Sequence, residues 1–139
     1  MSAWSDKYIG IPYSAFGRKR DGADCWGLAC IIYREELGIS LPDYLGYTSI
    51  EEHRELAAVI AGATVSPLWV PVQDKPLPFD ITVFRRGRLD THVGIVVHPG
   101  LMIHVAGEDC AKIENYRKGA WANRFSGAYR HRDRVLKPL

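Results

Sequence analysis

The sequence predicts an α+β fold, with helices in the first half of the chain and an antiparallel meander in the last third. Helical apolar spacing follows Asp24 and recurs after Ser49. Beta-branched runs divided by turn residues dominate from Ile81 onward, and no internal repeat or low-complexity tract interrupts the order. At 139 residues, 47% hydrophobic and 24% charged, the chain has the size of one domain spanning 1–139, and its composition excludes whole-chain disorder.

Residues 1–23 read as a loop-rich entry broken by Gly10, Pro12, Gly17 and Gly22. Asp24 is a good N-cap, and Leu28, Ala29 and Ile32 follow at helical spacing, so a helix is expected over 25–37, closed by Gly38. Ser49 and Glu52 form a capping-box pattern for a second helix over 50–61, with Gly62 behind it. Four prolines within 63–79 exclude a sheet interior and leave a wrapped loop with a short extended piece over 68–72. Strands follow at Ile81–Phe84, His92–Val97, Leu101–Ala106, Ala111–Glu114 and Gly127–His131, with Pro99-Gly100 as a turn.

Charge and cysteine usage narrow the function classes. From Ala111 onward there are eight Lys/Arg against two Asp/Glu, whereas the first 110 residues hold ten against fourteen. This basic C-terminal segment reads as a solvated strand edge or as a face for an anionic partner. No aromatic-basic ladder points to nucleic acid. No apolar run reaches the ~18 residues of a membrane span, and no apolar membrane-binding segment is present. The N-terminus lacks the features of a secretory leader, so the expected location is the cytoplasm of the producing cell. Three cysteines make a disulfide framework unexpected and leave at least one thiol free.

Among the residues able to carry chemistry, Cys25 stands out. It lies at the start of a helix, where free N–H groups and the helix dipole favour an anion, so a lowered thiol pKa is expected. The plainer alternative is a small buried hydrophobe. Cys30, in the helix interior, and Cys110, behind two acidic residues, read as structural. His92 heads a β-branched strand and His104 ends its partner. With a helix-start cysteine they fit a nucleophile, a base and an orienting group, although each alone also fits a core histidine. His98 reads as exposed, and His53 and His131 have no evident partner. The Cys-x4-Cys spacing matches no compact zinc site, no phosphate loop is present, and no cofactor or metal is expected.

A family resemblance joins these pieces. In chain order, Tyr13, Asp24-Cys25-Trp26-Gly27-Leu28, Leu41-Pro42, Phe79-Asp80-Ile81, His92-Val93-Gly94-Ile95 and His104 resemble the NlpC-type cell-wall cysteine peptidases of the NlpC/P60 superfamily. The similarity spans residues 8–131. It implies a papain-like fold, with the cysteine-bearing helix packed on an antiparallel sheet that carries the histidines. By that resemblance Cys25 is the nucleophile, His92 the base and His104 the polar residue that holds the imidazole. Tyr13 is the active-site tyrosine, a further donor to the oxyanion. Asp24 is the acidic neighbour associated with the substrate amine, and Trp26, where the family usually has Ser, is a narrowing or stacking wall of the cleft. Phe79 replaces the glycine of the family's P-G-D turn.

The implied substrate is a peptidoglycan stem peptide, cut between D-Glu and the diamino acid. The Gly10-x-Pro12-Tyr13 opening and the Trp121-Ala122-x-Arg124…Tyr129-Arg130 ending resemble the phage-tail branch, which implies a particle component that opens the wall and meets other tail-tip or hub proteins. Two alternatives stand beside this reading: a catalytically silent structural tail protein, and an amidase or acyltransferase on the same fold.

Sharing one nucleophile constrains the hairpin between the histidines. A regular two-residue loop at Pro99-Gly100 pairs His98 with Leu101. Carried along both strands, that register sets His92 and His104 on opposite faces. Either an odd-length loop or a β-bulge is therefore required, with Gly100 best able to take a positive φ.

Overall fold

Asp24 starts the first helix in the way its residue type predicts. Its extended backbone lets Oδ1 accept the Gly27 main-chain N–H at 2.7 Å, and helix α1 runs Cys25–Ile32. A π turn over Tyr33–Leu37 continues it, and the chain leaves at Gly38. The expected helical stretch is present, with a loosened last turn. The structure, a computed structural model, describes residues 3–42, 68–86, 89–106 and 109–136. The helix expected over 50–61 lies outside them.

All eight residues of α1 are buried. A helix that is apolar on every side needs cover on every side. One side lies on the sheet. Other cover comes from the entry segment, which is more ordered than its glycines and proline suggest. A 3-10 turn spans Trp4–Tyr8, and strands β1 (Arg18–Lys19) and β2 (Gly22–Ala23) form a small ribbon. A Cβ on Gly27 would stand 1.9 Å from the Gly17 carbonyl oxygen, so only glycine lets the ribbon lie against the first turn of the helix.

Six strands form the main sheet: β3 (Trp69–Pro71), β4 (Ile81–Arg86), β5 (Leu89–His98), β6 (Leu101–His104), β7 (Lys112–Asn115) and β8 (Phe125–His131). Their spatial order is β3-β8-β4-β5-β6-β7, all neighbours antiparallel. Strands β4 to β7 follow the meander expected from the sequence, but the strand expected over 127–131 does not continue it beyond β7. Strand β8 then returns to the free side of β4, a long-range pairing that no local signal announces. Ile81, Val83, Val93, Ile95 and Ile103 pack with α1 in one core cluster, and Phe84, Val96 and Met102 pack with Tyr116, Trp121 and Phe125 in another. Alternation along the strands assigns these clusters to opposite faces.

The hairpin between β5 and β6 solves the register problem with a bulge. Ile95 pairs with Ile103 and Val96 with Met102, but His98 pairs with Leu101, so Val97 and His98 together oppose one residue. The loop stays two residues long, and Gly100 takes φ 90°. Continued along β5 and β6, the shifted register sets His104 across from Gly94 and brings His92 and His104 to one face.

Two basic residues of the C-terminal segment, Arg130 and Arg134, are fasteners rather than part of a solvated edge, whereas Arg117, Lys118, Arg124 and Arg132 are exposed. Strand β8 is paired on both sides, and Arg130 clamps the fully buried Asp80 through two hydrogen bonds of 2.9 Å. Helix α2 (Arg132–Leu136) brings Arg134 over the Phe79 ring at 5.0 Å, where it donates to the Pro78 carbonyl. His131, without an evident partner in the sequence, is buried edge-on to Trp69 at 5.2 Å, and its Nδ1 accepts the Asp133 N–H.

Phe79 carries a cost that its glycine counterpart would not. Its φ is 75°, in the left-handed region, which costs a residue with a Cβ roughly 1–2 kcal/mol. Packing offsets this. The ring stacks on Trp4 at 4.3 Å under the Arg134 guanidinium, and the Phe79 carbonyl accepts the Tyr33 hydroxyl. Denaturant titration should therefore find Phe79→Gly and Phe79→Ala both less stable than the parent by about 2–5 kcal/mol. Between the two, Gly should be the more stable by about 1 kcal/mol, the reverse of the usual order. Equal stabilities would show that the backbone relaxes away from the strained region.

Candidate active site

Cys25 is the first residue of α1, and the helix delivers its sulfur to the sheet at a defined place. The sulfur meets the main-chain N–H groups of Trp26 and of Val93, the latter next to His92 in β5. Asp24 holds this end of the helix. Besides capping Gly27, its Oδ1 lies 2.8 Å from Arg18 Nη1, and Arg18 also donates to the Gly17 carbonyl. Gly27, Gly17, Arg18 and Asp24 form one connected support for the start of the helix.

His92 Nε2 lies 2.8 Å from His104 Nδ1, and His104 Nε2 lies 2.7 Å from Glu114 Oε1. The ring of His104 is 0% exposed, whereas the Glu114 side chain is 36% exposed on edge strand β7. Trp121 covers the pair, stacked on His92 at 4.8 Å and edge-on to His104 at 4.9 Å. Burial pushes the His104 pKa down, with the Lys112 charge adding to that direction, while the Glu114 carboxylate opposes it.

The expected activation of Cys25 by the helix start is corrected by the structure. The residue is 4% exposed, and its pKa is pushed up to about 12, first by burial and then by the Asp24 charge. The N–H groups of Val93 and Trp26 and the Arg18 charge pull the other way without winning. The Cys25 thiol is therefore neutral at pH 7, and any reaction through its sulfur requires that its proton leave.

Two further site expectations change. Trp26 is not a wall of the cleft: it is 2% exposed, donates from its indole to the Pro42 carbonyl at 2.7 Å, and meets Trp69 edge-on in the core. On the first turn of a wholly buried helix, its large ring goes to the core rather than to the cleft. Asp24, 3% exposed and paired with Arg18, is not open to a substrate amine; it acts as the cap and as a buried charge beside the thiol. Tyr13 is half-buried against the core and bridges to Ala23, two residues before Cys25. Cys30 lies 3.8 Å from the Pro42 carbonyl, and the half-buried Cys110 bridges to Pro12.

Sequence reasoning missed Glu114 and Trp121 as members of this cluster. Glu114 reads as an ordinary polar residue of a short strand, and only the β6–β7 pairing of His104 with Lys112 brings it diagonally against His104. Among the described residues, no three His, Cys, Asp or Glu side chains are grouped to hold a metal ion. The reactivity of Cys25 follows from its burial. Alkylation by iodoacetamide, followed by peptide mapping, should be slow at pH 6–7 and should climb with pH beyond 9. Asp24→Asn should raise the rate at pH 7 severalfold, because it removes the charge that opposes the thiolate. A rate at pH 6 equal to that at pH 9 would overturn the neutral-thiol assignment.

Residues 10–130 match the NlpC/P60 family. The murein DD-endopeptidase MepS/murein LD-carboxypeptidase of Escherichia coli K12 is 24% identical over 130 residues, 94% of this chain and 60% of the relative. The chain thus spans about three fifths of that relative's length. Among solved structures, an NLP/P60-family protein of Staphylococcus aureus, described as similar to lipoprotein, superposes with a TM-score of 0.63. It is 25% identical, with 90% of this chain and 38% of the other covered. The NlpC/p60 domain of the peptidoglycan hydrolase SagA superposes with a TM-score of 0.58 at 22% identity, with 89% and 90% covered. The helix bearing Cys25, the sheet bearing both histidines and the matched stretch that contains them all lead to one assignment: the chain belongs to the NlpC/P60 family.

Proposed function

We propose that the chain is a peptidoglycan endopeptidase working by a thiol mechanism. The observation that carries this reading is the sulfur of Cys25 lying at the Val93 N–H, one residue from a histidine that is itself held by a buried second histidine. The names of the relatives, a murein endopeptidase and a peptidoglycan hydrolase, support the choice of substrate.

In this reading His92 takes the Cys25 proton as the sulfur attacks the amide carbonyl carbon. The N–H groups at the start of α1, with the Tyr13 hydroxyl, are the donors assigned to the oxyanion. The imidazolium of His92 then gives its proton to the departing amine, which leaves a thioester on Cys25. Water, deprotonated by His92, attacks the thioester, and the thiol and a carboxylic acid are released. His104 holds the His92 ring throughout.

The bond proposed for cleavage joins D-Glu to the diamino acid of the stem peptide. A second reading is the D,D cross-link, which the name of the Escherichia coli relative favours. Mass spectrometry of fragments released from purified peptidoglycan separates the two. We further propose that the protein is a phage-tail or tail-like particle component, made in the cytoplasm and acting on the target cell envelope beside other tail-tip or hub proteins. The residues of its Gly10-x-Pro12-Tyr13 opening and Trp121-to-Arg130 ending support this. Immunoblotting of purified particles is the direct check.

Cys25→Ala should leave the melting temperature close to that of the parent and lower fragment release by about 10⁴-fold or more. Cys30→Ala and Cys110→Ala should retain turnover. Parent-level release by Cys25→Ala would remove the thiol mechanism.

A further inference from the structure

The hydrogen-bond chain that begins at His92 ends on a carboxylate. We propose that Glu114 is a positioning residue that fixes the proton of His104 on Nε2 and thereby leaves Nδ1 of His92 as the nitrogen that accepts the Cys25 proton. This deepens the proposed function and rests on its assignment of Cys25 and His92.

Two contacts fix where the protons sit along this chain. An ionised carboxylate only accepts hydrogen bonds, so the 2.7 Å contact from His104 Nε2 to Glu114 Oε1 needs the proton on Nε2. A neutral His104 then presents a lone pair at Nδ1. The 2.8 Å contact between His104 Nδ1 and His92 Nε2 must therefore be donated by His92. A neutral His92 protonated at Nε2 carries its lone pair on Nδ1, the remaining nitrogen of the ring. Without the carboxylate the whole chain can reverse: His104 carries its proton on Nδ1, His92 carries its own on Nδ1, and the base is lost.

The surroundings of His104 favour the neutral ring that this proton placement requires. It is fully buried, Trp121 seals one side, and among the described residues the charged or titratable groups around it are His92 from β5, Glu114 and Lys112 from β7, and Asp109 from the segment before β7. Lys112 Nζ sits 2.7 Å from Asp109 Oδ2 and 3.8 Å from Glu114 Oε1, the same oxygen that meets the histidine, so a cation accompanies that carboxylate. Glu114 thus supplies to a dihistidine pair the orienting charge that an aspartate supplies directly to histidine in the serine-protease triad, where its loss selects the wrong tautomer.

The test combines kinetics on purified peptidoglycan with long-range ¹H–¹⁵N NMR of the histidine rings in the resting protein. At pH 8, where both rings are neutral, the parent should show His104 and His92 each protonated at Nε2 and not at Nδ1. Glu114→Gln offers both an acceptor and a donor, so it should yield mixed tautomers of both rings. It should lower kcat by roughly 10- to 10³-fold with KM little changed. Glu114→Asp, which keeps the carboxylate, should restore the parental ring pattern and part of the rate. A parental His92 protonated at Nδ1 would overturn the proposal, as would a Glu114→Gln protein with parental tautomers and kcat. The tautomer is read without turnover, so the two assignments separate. Full activity in Cys25→Ala would remove the catalytic reading and the base's role with it, whereas an inactive Cys25→Ala beside an indifferent Glu114→Gln would remove Glu114 alone.

Discussion

Strand β5 spends one residue more than β6 does at their shared turn. Val97 and His98 oppose Leu101, and every pairing further from the turn is shifted by that one place. Side chains alternate at each step, so a shift of one exchanges the two faces of everything beyond it. His92 and His104 meet at 2.8 Å because of this bulge. Met102 and Val96 enter the core on the same face for the same reason, and Trp121 finds two imidazoles to cover instead of one. The bulge is anchored from outside the hairpin: Tyr116 donates its main-chain N–H to the Gly100 carbonyl, and its hydroxyl accepts the Gly100 N–H.

The other half of the site is held by close approach. Gly27 admits the Gly17 carbonyl, Gly17 admits the backbone of Gly22, and the compact ribbon brings Arg18 to Asp24. Asp24 then has two effects of opposite kind. As a cap it secures the helix that carries Cys25, and as a buried carboxylate it opposes the ionisation of that thiol. Arg18 offsets part of the second effect without disturbing the first. The outcome is a thiol at the start of the helix whose resting state is neutral.

Arginines complete the frame in places where charge asymmetry alone suggests a solvated surface. Arg130 binds the buried Asp80 at the head of β4, and Arg134 covers the strained Phe79 one residue earlier. Tyr33, from the end of the helical stretch, donates to the Phe79 carbonyl. The turn that leads into β4 is thereby fastened from α2, from β8 and from the helical stretch together. A residue with a left-handed backbone is tolerated there because so many neighbours over-determine its position.

Local chemistry was enough to read the start of the Cys25 helix and the strands of the β4–β7 meander, because capping, side-chain alternation and turn composition act between residues close in sequence. That an odd-length loop or a bulge must join β5 to β6 followed once His92 and His104 were assigned to one face. Asp24 and Gly38 bracket their helical stretch, and the His92 and Leu101 strands declare themselves by their residues. The placements of Trp26, Asp24 and Glu114 were decided only by tertiary structure. Burial, not sequence neighbours, turned the Trp26 ring into the core and closed the Asp24 carboxylate to solvent. Burial likewise raised the Cys25 pKa against the pull of the helix start. Glu114 and His104 are ten positions apart, and their contact depends on the register of β6 with β7, a long-range pairing whose alignment neither strand encodes alone.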